Sequence, residues 1–264
     1  MKRKRIGADG QLLICTPLVG VSEEAVLGEL AGILPQNPDV IEWRADFFAG
    51  VADADSVIHL ARKITGLAGE IPVIFTLRSG REGGQAIGLA DGEAIELQAD
   101  ICRETDVEYV DCELSHDNDH ILYLRQAAQE SATKVIGSYH NFEETPCNET
   151  LMAKLAEVET RGLDIAKIAV MPRNLDDVLR LLSVTLAAKE RLNVPIISIA
   201  MGEYGVISRI VGGMFGSSLT FAVGQCSSAP GQMPMGDLCA ILGHLQKSTG
   251  ISFGNIWAGE HRLG

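Results

Sequence analysis

Residues 164–172 read DIAKIAVMP. Ile165, Ala166, Ile168, Ala169 and Val170 surround a single lysine, Lys167. Successive side chains of a strand point to opposite faces. A short run that is apolar on both faces therefore reads as a strand buried on both sides, as in a parallel sheet covered by helices. Seven more short, mainly apolar runs recur along the chain: LLICTPLVG (12–20), VIEWRAD (40–46), IPVIFTLRS (71–79), VEYVDCEL (107–114), TKVIGSYH (133–140), VPIISIAMG (194–202) and SLTFAVGQ (218–225). All eight are rich in Ile, Val and Thr and short enough to be strands.

Segments with helical spacing separate the runs. SEEAVLGELAGIL opens with Ser22 as an N-cap, and NLDDVLRLLSVTLAAKERL opens with Asn174 and ends in basic residues. MGDLCAILGHLQ follows the eighth run. Eight strands alternating with helices predict a (β/α)₈ TIM barrel, a single α/β domain over residues 1–264. The barrel is expected over about 12–246, with 247–264 as a C-terminal extension. A doubly wound open sheet is the competing architecture. The chain has 264 residues, a length that α/β barrels commonly fill as one domain.

Hydrophobic residues make up 46% of the chain and aromatics only 5%, so the core is mainly aliphatic. A formal charge of −13 argues against nucleic-acid or anionic-membrane binding. An anionic ligand must then be met by a local group of arginines. The opening MKRKR is followed by IGADGQ rather than an apolar h-region, and it reads as a solvated terminus. No apolar stretch reaches the length of a membrane span. The six cysteines are scattered without CxxC spacing, which fits a reducing cytoplasm.

An ammonium inside a buried strand is costly unless it is paired or has a use. Lys167 shares a face with Ile165 and Ala169. Glu42, Arg44 and Asp46 share the opposite face from Ile41 and Trp43, so that face must point into the barrel mouth. Arg78 lies near the end of its strand, on the face of Thr76, and His140 ends its strand on the face of Ile136 and Ser138. Active sites of such barrels lie at the C-terminal ends of the strands, so these side chains converge. They lack the close His, Cys and carboxylate set of a metal site and the GxGxxG loop of a dinucleotide site. REGGQ (81–85) is expected to be a mobile loop.

The set suits imine chemistry. An amine condenses with a ketone, the iminium acidifies the neighbouring C–H bond, and a histidine moves the proton. A free lysine with a pKa of about 10.4 has only about one amine in 2,500 at pH 7. Burial and nearby Arg44, Arg78 or Arg209 are expected to lower that value toward roughly 7–8.

IEWRAD, FTLRSGREGG, GSYHNF, the lysine of DIAKIAV, GVISRI and SSAPGQ occur here in the order seen in the type I 3-dehydroquinate dehydratases, and the chain resembles that family from about Cys15 to Gln246. The resemblance implies a barrel, usually dimeric and here expected to be a cytoplasmic homodimer. It also implies no metal or external cofactor, and dehydration of 3-dehydroquinate to 3-dehydroshikimate in the shikimate pathway. By motif, Lys167 would form the imine, His140 would carry protons and Glu82 would orient that histidine. Glu42, Arg44 and Arg78 would bind substrate, and Arg209 would grip its carboxylate. Ser228 and Gln232 would close over it, with Ser227 the lesser candidate, and Met201 would line the pocket.

Two positions depart from the family pattern. Phe47 stands where many members have histidine, and CTPLVG replaces a serine-bearing first strand, so no substrate contact is assigned there. Two other functions compete. A class I aldolase also uses a barrel lysine, but no phosphate-binding glycine loop follows the seventh or eighth run. A non-catalytic metabolite-binding barrel would not need both the lysine and the histidine.

Overall fold

The computed structural model describes residues 4–249. The eight apolar runs are strands β1 (Leu13–Leu18), β2 (Val40–Arg44), β3 (Val73–Thr76), β4 (Tyr109–Glu113), β5 (Lys134–Asn141), β6 (Ile165–Val170), β7 (Ile196–Ala200) and β8 (Leu219–Phe221). They alternate with helices α1 (Glu23–Ile33), α2 (Ala54–Ala68), α3 (Asp91–Glu104), α4 (Asn118–Glu130), α5 (Asn148–Thr160), α6 (Leu175–Arg191), α7 (Gly202–Phe215) and α8 (Met235–Thr249). From β1 to β7 each strand pairs in parallel with the next in sequence, and β1 pairs with β8. A single parallel bridge between Ile196 and Ser217 spans the seam between β7 and β8. The architecture is a (β/α)₈ barrel.

Alternation sorts the strand residues into two layers. Leu13, Val40, Ile74, Ile136, Ile165 and Ile197 point inward and form one buried cluster. Ile41, Trp43, Phe75, Val110, Ala166 and Ile168 point outward and pack with the helices in a larger one. Fully burying a side chain of this size contributes about 1.5–3 kcal/mol. The two caps read from the sequence are present. Ser22 accepts from the Ala25 N–H and Asn174 from the Asp177 N–H, each satisfying an otherwise orphaned donor.

Helix α8 runs to Thr249, just past the barrel end expected at about 246, and residues 250–264 of the expected extension lie outside the described residues. The basic opening is not wholly solvated, because Lys4 pairs with Asp39, whose other oxygen accepts from the Ile14 N–H. The N-terminal segment then places Ile6 in the lumen cluster at the end of the barrel where the strands start.

Candidate active site

Lys167 sits mid-strand in β6 with its side chain pointing inward and 5% exposed. Its Nζ donates to Asp111 Oδ2 at 2.7 Å and lies 3.5 Å from Glu42 Oε1. It also stands 5.2 Å from the centre of the Phe221 ring. Glu42 in turn accepts from Thr76 Oγ1 at 2.9 Å. The expected arginine neighbours are therefore replaced by two carboxylates as the contacts of the amine. The nearest arginine in this network, Arg78, reaches the lysine only through Asp111.

His140 ends β5 beside the lysine strand, and its Nδ1 lies 2.9 Å from Glu82 Oε2. The same carboxylate oxygen accepts from the His140 backbone N–H, and Oε1 accepts from Ser115 Oγ. Burial, then Arg78 and Lys167, hold the imidazole well below its ordinary pKa, so it is neutral at pH 7. Burial raises Glu82 to about 7, against the opposing pull of Arg78. With Nδ1 held by Glu82, Nε2 is the ring nitrogen left to accept a proton.

Glu82 closes a short 3-10 turn, Gly80–Glu82, and the glycines after it are tightly packed rather than free. Gly83 has φ +81°, and a Cβ there would lie 2.3 Å from the Phe142 ring. A Cβ on Gly84 would lie 2.0 Å from the Arg78 carbonyl oxygen. The Gln85 N–H donates to Asp46 Oδ2. REGGQ thus brings its glycines close to Phe142 and the Arg78 backbone while burying the Glu82 side chain.

The three arginines differ in how their charge is met. Arg44 forms a fork on Asp46, with both bonds at 2.8 Å, and its guanidinium lies 5.0 Å from the centre of the Phe47 ring, the residue that replaces the usual histidine. Asp46 is not a strand residue: it sits in the 3-10 turn Ala45–Phe47 beyond β2. Arg78 lies two residues past β3 and donates to Asp111, Glu113 and Ser138. Arg209, on α7, has no carboxylate within 4 Å among the described residues. Its partners are the carbonyls of Phe221 and Pro230, and its buried Nε has none. Burial lowers its pKa to about 10. It is the cation in this cavity best placed to receive an anion.

The segment between β8 and α8 forms one edge of the mouth. Gln232 accepts from the Ser228 N–H and donates to Ser228 Oγ, each at 3.0 Å. The Pro230 carbonyl accepts from Arg209 and from the Gly202 N–H, and the Ser228 carbonyl from Arg44. Ser227 bonds instead to the Ala229 carbonyl and to Gln232.

Glu42, Arg44, Arg78, Glu82, His140, Lys167, Met201, Arg209, Ser228 and Gln232 all line one cavity at the barrel mouth, and the lesser candidate Ser227 does not. No residue of β1 lines it. The reading of the sequence missed the buried layer of Asp111, Glu113 and Ser138 beneath. The signal was available: in VEYVDCEL, Asp111 and Glu113 share a face just as Glu42 and Arg44 do. Among the described residues no three His, Cys, Asp or Glu side chains are grouped to hold a metal, and no helix is long and apolar enough to cross a membrane.

Known proteins share this architecture and sequence. The family model described as type I 3-dehydroquinase matches residues 14–249. The 3-dehydroquinate dehydratase of Aromatoleum aromaticum is 46% identical over 248 residues, covering 94% of this chain and 95% of the relative. That of Geobacillus sp. strain WCH70 is 46% identical over 243 residues, covering 92% and 93%. The crystal structure of 3-dehydroquinate dehydratase from Geobacillus kaustophilus has a TM-score of 0.89 at 43% identity, covering 90% of this chain and 93% of that one. A type I enzyme from Clostridium difficile, solved with covalently modified comenic acid, has a TM-score of 0.88 at 35% identity, covering 94% and 100%. The chain belongs to the type I 3-dehydroquinase family.

Proposed function

We propose that this chain is a hydro-lyase that removes water from 3-dehydroquinate to give 3-dehydroshikimate, a step of the shikimate pathway, through an imine on Lys167. One observation carries the mechanism: a single buried lysine shares a cavity with a neutral, carboxylate-held histidine. Lys167 Nζ attacks the substrate ketone, and loss of water leaves an iminium. The iminium draws electrons from the adjacent C–H bond, and His140 takes that proton and then protonates the departing hydroxyl. Glu82 keeps Nδ1 occupied so that Nε2 does this work.

Arg209, unmatched by any carboxylate nearby, holds the substrate carboxylate by a charge-assisted bond. Glu42, Arg44, Arg78 and Met201 form the wall against which the ring lies. Ser228 and Gln232 belong to a lid that keeps water from the iminium. No metal or external cofactor enters this scheme. The family resemblance supports a homodimer, and the free cysteines fit a reducing cytoplasm.

Borohydride with substrate is expected to add a ligand mass irreversibly at Lys167. Lys167→Ala should lose both the adduct and nearly all turnover. His140→Ala should keep the adduct but lose on the order of 10²–10⁴-fold or more in rate, the usual scale of acid–base catalysis. An adduct on another lysine, or full activity in Lys167→Ala, would reject the imine.

A further inference from the structure

Asp111 is the closest partner of the lysine nitrogen, yet no step above uses it. Its side chain is fully buried, and its oxygens divide their bonds. Oδ2 accepts from Lys167 at 2.7 Å, and Oδ1 accepts from Arg78 at 2.7 Å and from Ser138 at 2.6 Å. Burial opposes its ionisation, but Arg78 and then Lys167 outweigh that and hold the carboxyl well below the usual range. A carboxylate so held is a poor proton acceptor and a stable anion.

We propose that Asp111 is a catalytic residue, the permanent counter-ion of the Lys167 nitrogen, which keeps the iminium protonated through the reaction. This rests on the imine reading above. The ammonium and the ketone give the iminium and one water. Two of the three ammonium protons leave on that water, whose oxygen is the ketone's, and the third stays on nitrogen. His140 relays these two protons from nitrogen to oxygen in turn, the first freeing the lone pair that attacks the carbonyl carbon, and water carries them more slowly in His140→Ala; the nitrogen lone pair closes the C=N bond as water departs. The nitrogen carries one positive charge before and after, so an anion that never changes its protonation suits both states. The Phe221 ring on the same nitrogen favours a cation in the same way.

A full anion at this distance also damps the pull of the iminium on the C–H bond. Arg78 and Ser138 share the carboxylate and limit that damping. The other groups facing the pair are Cys15 on β1, Glu42 on β2, Glu113 on β4 behind Arg78, and His140 on β5. Glu42 is the weaker neighbour, at 3.5 Å and bonded to Thr76. Asp111 is therefore the group whose charge sets how readily the iminium loses its proton.

The test is Asp111→Asn, with kcat/KM and the borohydride-trapped Lys167 adduct from 3-dehydroshikimate followed from pH 6 to pH 9. Wild type should trap the adduct across the range. The variant should trap it near pH 6 and lose about tenfold or more by pH 9, with its alkaline limb at least about one unit lower, a tenfold change in proton affinity. A wild-type adduct together with an unmoved profile in the variant overturns the counter-ion. No adduct in wild type at any pH overturns the imine reading, and the counter-ion with it. Should the variant fail to fold, the unsubstituted protein decides: with ¹⁵N-lysine and bound 3-dehydroshikimate, the iminium nitrogen must stay protonated to pH 9, and titration below pH 9 rejects the role.

Discussion

Glu82 and His140 are displaced from their ordinary pKa values in opposite senses by the same burial, and this makes Glu82 visible in the pH dependence of stability. The Glu82 carboxyl rises to about 7 on folding from an ordinary value of 4.5. Between those values the folded protein holds a proton that the unfolded chain has released. Its contribution is therefore fully present below about pH 4.5 and is lost as pH rises through about 7. A shift of this size corresponds to at most about 3 kcal/mol. Glu82→Gln keeps an acceptor for the His140 N–H and removes the titration. Relative to wild type, the variant should gain stability between pH 5 and pH 8 by up to that amount. The cost of protonating His140 below about pH 6.5 is common to both proteins and cancels. Urea midpoints whose difference stays constant from pH 5 to pH 8 would contradict the assignment.

The lid proposed for the segment after β8 rests on two small features. Gly231 has φ +78°, and a Cβ there would lie 2.3 Å from the Gly202 carbonyl oxygen. Gln232 bonds twice to Ser228. Gly231→Ala and Gln232→Ala should both loosen the segment, speed its proteolysis in the free protein and lower kcat/KM by roughly tenfold, the scale of one or two lost bonds. Cleavage rates equal to wild type together with normal kinetics would exclude a lid. Elements of this kind were legible in the sequence to different degrees. The eight strands stood out because short runs rich in Ile, Val and Thr recur between segments of helical spacing, and Ser22 and Asn174 because caps follow local chemistry. SSAPGQ was legible only through family resemblance, and the structure puts Ser228 and Gln232 of it at the edge of the mouth. The polar layer of Asp111, Glu113 and Ser138 went unread although its parity matches that of Glu42 and Arg44, because its use lies in partners on other strands, Arg78 and Lys167, that only the register brings beside it. The close approach of REGGQ to Phe142 and the Arg78 carbonyl was not legible, because glycine signals looseness and close approach alike.

Across the whole barrel, stability and chemistry occupy opposite ends. The mouth holds the charged cavity, while the strand starts are sealed by the N-terminal segment. There Ile6 is 6% exposed in the lumen cluster, and its N–H donates to Tyr109 Oη at 3.0 Å. Gly7 turns the chain at φ +81° close to Pro195, where a Cβ would lie 2.2 Å from the proline ring. Ile6→Ala opens a cavity in this seal. The lost burial and the void should cost about 2–3 kcal/mol, the lower part of the range for such truncations because the site is at the end of the core. For a chain of this size that is a fall of roughly 4–12 °C in Tm. The Tyr109 bond uses the backbone N–H and survives the substitution, so the loss reports packing alone. At 25 °C kcat/KM should stay within about twofold of wild type, because no residue of the seal lines the cavity. A variant that melts normally would show that the segment does not plug the barrel. One that melts normally but loses activity would place it nearer the chemistry than the fold allows.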